Sequence, residues 1–413
     1  MLNKLKFIVA FFTILGYNAG LIIVIAAGFI DSSQLYSIPL RIAIAIIMIF
    51  LIFSSHLKIT HGNKLNLISF WAFWILYFGA ILKASIFSAD LMRNSALTVS
   101  GYSIIYAILP FIFFSSKQNE RTIIIFKNAI IVSGVLLSIL TFYLYKDLLF
   151  QGIGRISMAK YQLGYDFVSI SPLALSYASS LIIAICIYYI SFLKLEKVTK
   201  LYYWFAVFAS LAPFFLGASR GGVVALVFTF GFIVFYRQGF KSKIFSLFLI
   251  AFLSIIIFYL SVYFESSVIT RVLNISDDIQ QGSSSTSRLE LWQSTWVQFI
   301  SSPIWGDSIQ SILPPHPHNI LLESLMAVGI LGTIPLMLLI FAAFRKSIKI
   351  VKYRPEHGWT LILFLQGFIQ HMFSGTIYTA IFFWAGMGLV FSIEITNIRN
   401  RKTYTPTLKA NEN

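Results

Sequence analysis

Long runs of apolar residues, separated by short polar segments, recur along most of the 413-residue chain. Most runs approach the roughly 20 residues that a helix needs to cross a bilayer core of about 30 Å. Because the runs are continuously apolar and do not alternate with polar residues, they predict helices and not the strands of a barrel. The pattern predicts about twelve membrane spans, at 7–29, 38–55, 65–84, 96–115, 123–144, 170–193, 201–217, 222–236, 244–264, 319–344, 359–373 and 376–394.

The first apolar run follows a short basic segment, MLNKLK, and so resembles the start of a signal peptide. The run is too long for the apolar part of such a peptide, and no small-residue cleavage site follows it. We therefore expect 7–29 to be a retained first span and 1–413 to form a single all-α membrane domain. Two long external segments are predicted, a middle loop at 145–169 and a larger loop at 265–318.

The larger loop contains its own structural signals. A serine-rich piece at 280–287 indicates a flexible connection. An amphipathic helix pattern follows near 288–300, with an apolar face made by Leu289, Trp292, Trp296 and Phe299. Two tryptophans on one face are typical of a helix that lies at the membrane surface or over the end of a bundle. A helix packed against the other loops fits the pattern equally well.

Composition supports a membrane protein and excludes a soluble enzyme, because charged residues make up only 11% of the chain against about 25% in soluble domains. The net charge is +16, yet 22 of the 31 Lys and Arg lie on the side of the predicted termini and 8 lie opposite. By the positive-inside rule both termini are cytoplasmic. The basicity therefore reports topology, and no nucleic-acid partner is expected. Arg41, the one basic residue on neither side, lies within a predicted span. Its side chain either extends toward Asp31 near the membrane surface, which we favour, or pairs with a group inside the bundle.

The external face is nearly neutral, so its arginines are candidates for contact with an anion. Arg220 lies at the end of a span, between glycines that would let the backbone approach a phosphate. An interfacial anchor that touches no ligand is the alternative. Arg288 opens the amphipathic helix pattern of the larger loop. Arg155 and Arg271 are further external cations without a local signature, for which a solvated loop position is favoured.

A second candidate region lies where the next span begins. Prolines stiffen the approach to His316 and His318, and Asn319 and Glu323 follow at the start of the helix. A helix N-terminus supplies free N–H groups, and a histidine beside it can act as a base near neutral pH. A zinc site at the two histidines would need further ligands, and no cysteine or clear carboxylate cluster is nearby, so no metal is expected. The span continues with small residues suited to close helix packing, Gly329 and Gly332.

Together these residues resemble the O-antigen ligase and O-antigen polymerase superfamily. The first match is His318-Asn319, followed after nine residues by Gly329-x-x-Gly332. Ser219-Arg220-Gly221 at a span end and Ser287-Arg288-Leu-x-x-Trp292 in the larger loop match as well. The three motifs occur in the family order and cover roughly 215–335.

The resemblance implies a GT-C-like membrane glycosyltransferase of the bacterial inner membrane with its active site at the periplasmic face. The donor would be a glycan on undecaprenyl diphosphate, transferred with inversion and without metal, cofactor or nucleotide sugar. Arg220 and Arg288 would stabilise the diphosphate leaving group, and His318 would take the acceptor's proton. Asn319, Glu323 and His316 would position substrates, with Arg155 and Arg271 as further substrate-binding candidates.

The resemblance leaves the acceptor open. A polymerase adds the chain to a second lipid-linked repeat unit, and a ligase passes it to lipid A-core. The compact loop between Arg288 and His318 favours a polymerase, for which a chain-length regulator is a further candidate partner. A lipid-linked oligosaccharide transporter is an alternative of another class, but the sequence shows few charges inside the spans and no repeated halves. A scaffold without chemistry would leave the clustered Arg and His residues unexplained.

Overall fold

The computed structural model describes residues 1–29, 33–54, 64–87, 92, 94–150, 156, 170–236, 284–313 and 316–395, with single positions 244, 248, 251, 255 and 259. Over this part of the chain the structure is helical and contains no β-strand. The helices are α1 Leu2–Ala26, α2 Ser33–Ser54, α3 Lys64–Phe87, α4 Ala96–Ser115, α5 Glu120–Phe150, α6 Pro172–Phe192, α7 Lys197–Gly217, α8 Arg220–Tyr236, α9 Ser284–Ser301, α10 Ile320–Tyr353, α11 Gly358–Phe373 and α12 Ile381–Ser392.

Eight of the described helices, α1 to α7 and α10, are long and apolar enough to cross a membrane. The apolar helices α8 and α12 are shorter, with 17 and 12 residues, and α11 has 16. These helices confirm an all-α, multi-pass membrane protein. The span predicted at 244–264 falls largely outside the described residues, and the total of twelve spans stays a prediction.

Three predicted boundaries are wrong. Helix α5 continues to Phe150, so the segment predicted as a loop from 145 begins as a helix. Helix α9 begins at Ser284, so the end of the serine-rich piece is helical and not a flexible connection. The last predicted span, 376–394, begins with the short 3-10 helix Ile377–Thr379, and α12 starts only at Ile381.

Helix α6 forms the centre of the bundle. In its most apolar stretch 83% of the residues are buried, against 28% to 56% in the other seven long helices. A helix that is apolar and buried all round must be enclosed by other helices, and α6 packs against α5, α7, α8 and α11. By contrast, α2 exposes a row of large apolar side chains, as expected of a helix that faces lipid: Ile38, Ile42, Ile46, Ile49 and Phe53.

Two membrane helices contain π-helical turns. Phe12–Gly16 forms one inside α1, and Ser103–Ile108 forms the other inside α4. A π-turn inserts one extra residue per turn, weakens the regular hydrogen-bond ladder and is frequent at functional sites. Both π-turns border the same cavity, which is described below.

Helix α10 is interrupted at Gly329, whose φ of 59° lies in the left-handed region. The loop 303–307 crosses the helix there, and a Cβ on Gly329 would collide with its backbone. The sequence predicts that this glycine permits close packing, but its partner is a loop and not a helix. Three backbone hydrogen bonds join the two segments: Ile330 N to Pro303 O at 2.9 Å, Leu331 N to Ile304 O at 3.2 Å and Asp307 N to Met326 O at 2.8 Å.

Candidate functional site

Tyr177, near the start of α6, and Arg288 connect residues from all three sequence motifs. The Tyr177 hydroxyl lies within reach of the Ser219 side chain and close to the charge of Arg288. The same hydroxyl packs onto Gly221, directly after Arg220. Arg288 is in turn close enough to His318 to act on its charge state. The fold thus joins segments that are separated in the sequence by up to about 140 residues.

The glycines beside Arg220 have a different role from the one predicted. A Cβ on Gly221 would collide with Tyr177, and one on Gly222 would collide with Ser176. Their open side is therefore filled by α6, and they let α8 approach that helix closely instead of leaving space for a phosphate. Ala218, at the end of α7, adopts a left-handed φ of 39° and turns the chain into α8. Arg220 is the first residue of α8 and is partly buried.

Helix α9 carries Arg288 in its second turn and is fixed to the histidine segment by Trp292. The Trp292 indole donates a hydrogen bond to the Pro317 carbonyl at 2.7 Å. The predicted apolar face of α9 is divided, because Leu289 and Trp296 are exposed, as a face at the membrane surface would be, whereas Phe299 is buried. The other buried side chains of α9 are Leu291, Thr295 and Gln298. Helix α9 therefore packs on loops through one face and presents an apolar row outward on another.

Gln298 explains why the buried face of α9 is partly polar. Its amide nitrogen donates to Asp307 Oδ2 at 2.8 Å and to the Gln310 carbonyl at 3.1 Å. Its amide oxygen accepts from the Ile312 backbone N–H at 3.3 Å. One side chain thus holds the 302–312 loop, which apolar periodicity alone could not reveal.

His318 has a backbone conformation that is rare outside glycine, with φ at 51°. Its Nδ1 lies 3.4 Å from the Gly375 carbonyl, in the loop between α11 and α12. A carbonyl can only accept, so Nδ1 carries the proton and Nε2 of the neutral ring is left able to accept one. Burial is the main cause that lowers the His318 pKa below 6.5, and the nearby Arg288 charge lowers it further, against the Gly375 contact. The ring is therefore neutral at physiological pH.

Asn319 and Glu323 hold the two segments that meet at His318, the start of α10 and the loop that contains Gly375. The Asn319 side-chain oxygen caps α10 by accepting from the N–H groups of Leu321 and Leu322, both at 3.1 Å. Glu323 is fully buried, and its Oε2 accepts from the Ile377 N–H at 2.9 Å, in the same loop that carries Gly375. The Tyr77 hydroxyl is a close neighbour of the Glu323 carboxylate. Among the described residues, neither that hydroxyl nor Glu323 Oε1 has a partner in hydrogen-bond geometry. Asn319 and Glu323 thus fix the chain around His318, and their predicted contact with substrate stays a prediction.

The remaining predicted site residues are placed only in part. The His316 ring lies edge-on to Tyr378, with 6.4 Å between ring centroids. Arg155 and Arg271 lie outside the described residues. Within the described ranges no group of three or more His, Cys, Asp or Glu is arranged to hold a metal ion.

Sequence reasoning missed Tyr177, Tyr77 and Gly375. The two tyrosines lie inside apolar runs, where an aromatic residue ordinarily indicates core packing. The Ser-Gly-Thr sequence around Gly375 was a usable signal, since such a group between two apolar runs marks a turn. Gly375 takes a left-handed φ of 81°, as a turn of this kind requires.

The helices and the site define a multi-pass membrane protein with its polar residues gathered at the end of the bundle where α6, α8 and α10 begin. Residues 205–337 match the family model described as O-antigen ligase. This stretch contains every residue of the three motifs, and the predicted resemblance to the O-antigen ligase and O-antigen polymerase superfamily is confirmed. A comparison with curated proteins found no match.

Proposed function

We propose that the protein is a membrane glycosyltransferase that moves a glycan from undecaprenyl diphosphate to an acceptor sugar hydroxyl at the periplasmic face. The observation that carries the proposal is a neutral histidine beside a guanidinium group. His318 can accept a proton at Nε2, and the nearby Arg288 can stabilise negative charge on a leaving group. An acid–base residue and an anion-binding residue together are what transfer from a lipid diphosphate requires.

In the proposed reaction the acceptor hydroxyl oxygen attacks the anomeric carbon of the donor sugar. The hydroxyl proton passes to His318 Nε2 as the new glycosidic bond forms. The bond from the anomeric carbon to the diphosphate oxygen breaks, and its electron pair leaves with undecaprenyl diphosphate. Arg288 and Arg220 stabilise that developing charge, because guanidinium groups donate two parallel hydrogen bonds to phosphate oxygens. Asn319, Glu323 and His316 position the site, and Arg155 and Arg271 are candidates for further phosphate contacts.

Deletion of the gene tests the function and separates its two forms when the surface polysaccharide is separated on a gel. A polymerase, the favoured form, leaves a single repeat unit on lipid A-core in the deleted strain. A ligase leaves bare core together with accumulated lipid-linked polymer. Complementation with the intact gene restores the original ladder in either case. An unchanged ladder in the deleted strain would contradict both forms.

We expect a pH dependence that follows the lowered pKa of His318. Because the ring must be neutral to accept a proton, transfer is retained at neutral pH and falls as the pH drops through a value below 6.5. The measurement is kcat/KM of the purified protein with a lipid-linked donor, between about pH 5 and 8.

The control for this profile is His318→Asn, which has no group that titrates in this range. Its residual activity is expected to lack the acidic limb of the profile. The same limb in the variant would assign the titration to another group and contradict the role of His318.

A further inference from the structure

A cavity of about 420 Å³ opens inside the helical bundle beside the candidate site. Its lining comes from six helices and includes a positive charge, aromatic rings and amide and imidazole groups: Tyr17, Arg41, Tyr106, Tyr177, Gln370 and His371. Two residues connect it to the site. The Tyr177 hydroxyl faces Ser219 and Arg288, and His371 lies against Gly375, the partner of His318.

Arg41 lies between two tyrosine rings that border this cavity. Its guanidinium carbon is 4.4 Å from the Tyr17 ring centroid and 5.0 Å from that of Tyr106. Within the described ranges no carboxylate pairs with it. The sequence favours a side chain that reaches toward Asp31, which is outside the described residues, but the structure places Arg41 against an internal cavity. Burying a charged guanidinium group among membrane helices costs free energy unless an anion or water pairs with it.

Three buried polar atoms of residues that line the cavity have no hydrogen-bond partner among the described residues: Arg41 Nε, Thr13 Oγ1 and Gln370 Oε1. Thr13 is only 7% exposed. Buried polar atoms in folded proteins are almost always paired, so three exceptions around one cavity indicate that something else pairs with them. Both π-turns lie here too, since Thr13 belongs to the first and Tyr106 to the second. Unpaired groups and π-turns are independent signs of a binding site.

We propose that this cavity binds the phosphate group of a lipid. Arg41 supplies the positive charge and a directed N–H donor, Thr13 supplies a hydroxyl donor, and the tyrosine rings hold the guanidinium group in place. The rest of the lining is largely apolar and suits an acyl or isoprenoid chain, with Leu40, Ile44, Met48 and Ile105. The lipid is either a polyprenyl phosphate or a membrane glycerophospholipid. Only the first source rests on the proposed transferase function.

Binding to the purified full-length protein tests this site without any turnover. The probes are undecaprenyl phosphate, phosphatidylglycerol, uncharged undecaprenol and inorganic phosphate. At least one lipid phosphate is expected to bind, with an affinity that falls on the order of 10-fold to 100-fold in Arg41→Gln, because charge-assisted hydrogen bonds are lost. Thr13→Val, which keeps the side-chain shape, is expected to weaken binding less. Whichever of undecaprenyl phosphate and phosphatidylglycerol binds more tightly identifies the class of lipid that the cavity takes.

Arg345→Gln is the matched control. Arg345 is an exposed arginine whose guanidinium carbon lies 5.6 Å from the Phe341 ring centroid and outside the cavity. Its replacement is expected to leave lipid binding unchanged. Thermal unfolding of each variant checks that it folds. If Arg41→Gln fails to fold, the comparison of Thr13→Val with the parent protein still tests the site.

Several results would overturn the proposal. Undecaprenol or inorganic phosphate binding as tightly as the lipid phosphates would do so, as would unchanged binding in Arg41→Gln. A different result would show that the transferase proposal is wrong while the lipid site is right. If lipid binding depends on Arg41 while His318→Ala and Arg288→Ala strains keep normal polysaccharide, the cavity stands and the proposed reaction does not.

Discussion

A strain whose protein carries His318→Ala is expected to produce no long-chain surface polysaccharide. The substitution removes the proposed base, and general-base catalysis typically contributes about 10²-fold to 10⁴-fold to a rate. Arg288→Ala is expected to have an effect of similar size, since removing one group that stabilises transition-state charge costs about 10²-fold to 10³-fold. The measurement is the polysaccharide ladder on a gel, together with transfer of labelled lipid-linked donor in membranes.

His318→Asn separates a chemical role from a structural one. Asparagine tolerates a left-handed φ better than most residues, and its amide can donate to the Gly375 carbonyl as His318 Nδ1 does. It cannot accept the acceptor's proton as imidazole does. We expect His318→Asn to insert and fold like the parent protein but to keep only a residual activity, about 10²-fold to 10⁴-fold below that of the parent. Activity near the parent level would show that His318 only shapes the loop. Arg345→Ala is the matched control for Arg288→Ala and is expected to leave the ladder unchanged.

The second large effect is expected from Gly329→Ala. Gly329 combines its positive φ with a ψ of −163°, a conformation that essentially only glycine adopts and that costs other residues roughly 1–3 kcal/mol. The new Cβ would also collide with the backbone of Ile304 and Gly306. We expect a total loss of about 2–4 kcal/mol in the free energy of unfolding. The measurement is the midpoint of thermal unfolding in detergent, with the yield of folded protein after solubilisation.

Gly231→Ala is the control for this substitution. Gly231 lies within α8, where a Cβ meets nothing within 4 Å, so alanine is expected to be neutral or slightly stabilising through its higher helix propensity. Equal unfolding midpoints for Gly329→Ala and the parent protein would contradict the close approach of the 303–307 loop to α10.

The sequence was sufficient for the helical class and for the motif residues of the site. Continuous apolar runs predict membrane helices, Ser219 and Arg288 lie close to Tyr177 in the structure, and His318 lies close to Arg288. The sequence could not predict which polar side chains would form hydrogen bonds with a distant segment. Gln298 satisfies three backbone or side-chain groups of a neighbouring loop, and this depends on tertiary contacts that no periodicity encodes.

The glycines and α9 also show that the sequence does not predict which neighbour a residue contacts. A glycine in the sequence indicates close approach but not what approaches, and at Gly221 the neighbour is α6 and at Gly329 a loop. The apolar pattern of α9 left open whether its face lies at the membrane surface or on other parts of the protein, and in the structure Trp296 is 47% exposed whereas Phe299 is buried. Hydrophobicity alone cannot distinguish a side chain buried in protein from one that faces lipid, because both environments are apolar.

The outward apolar row on α9 has a consequence for the level at which Arg288 lies. Leu289, Trp296, Val297 and Ile300 are all exposed, and an apolar row of this kind settles at the boundary between lipid and water. Arg288 lies next to Leu289 on the same rigid helix, so its depth follows the height of that boundary. A contact with the bilayer boundary would thus add to the hydrogen bonds of Trp292 and Gln298 that hold α9 on the protein, and both would set the level of the guanidinium group.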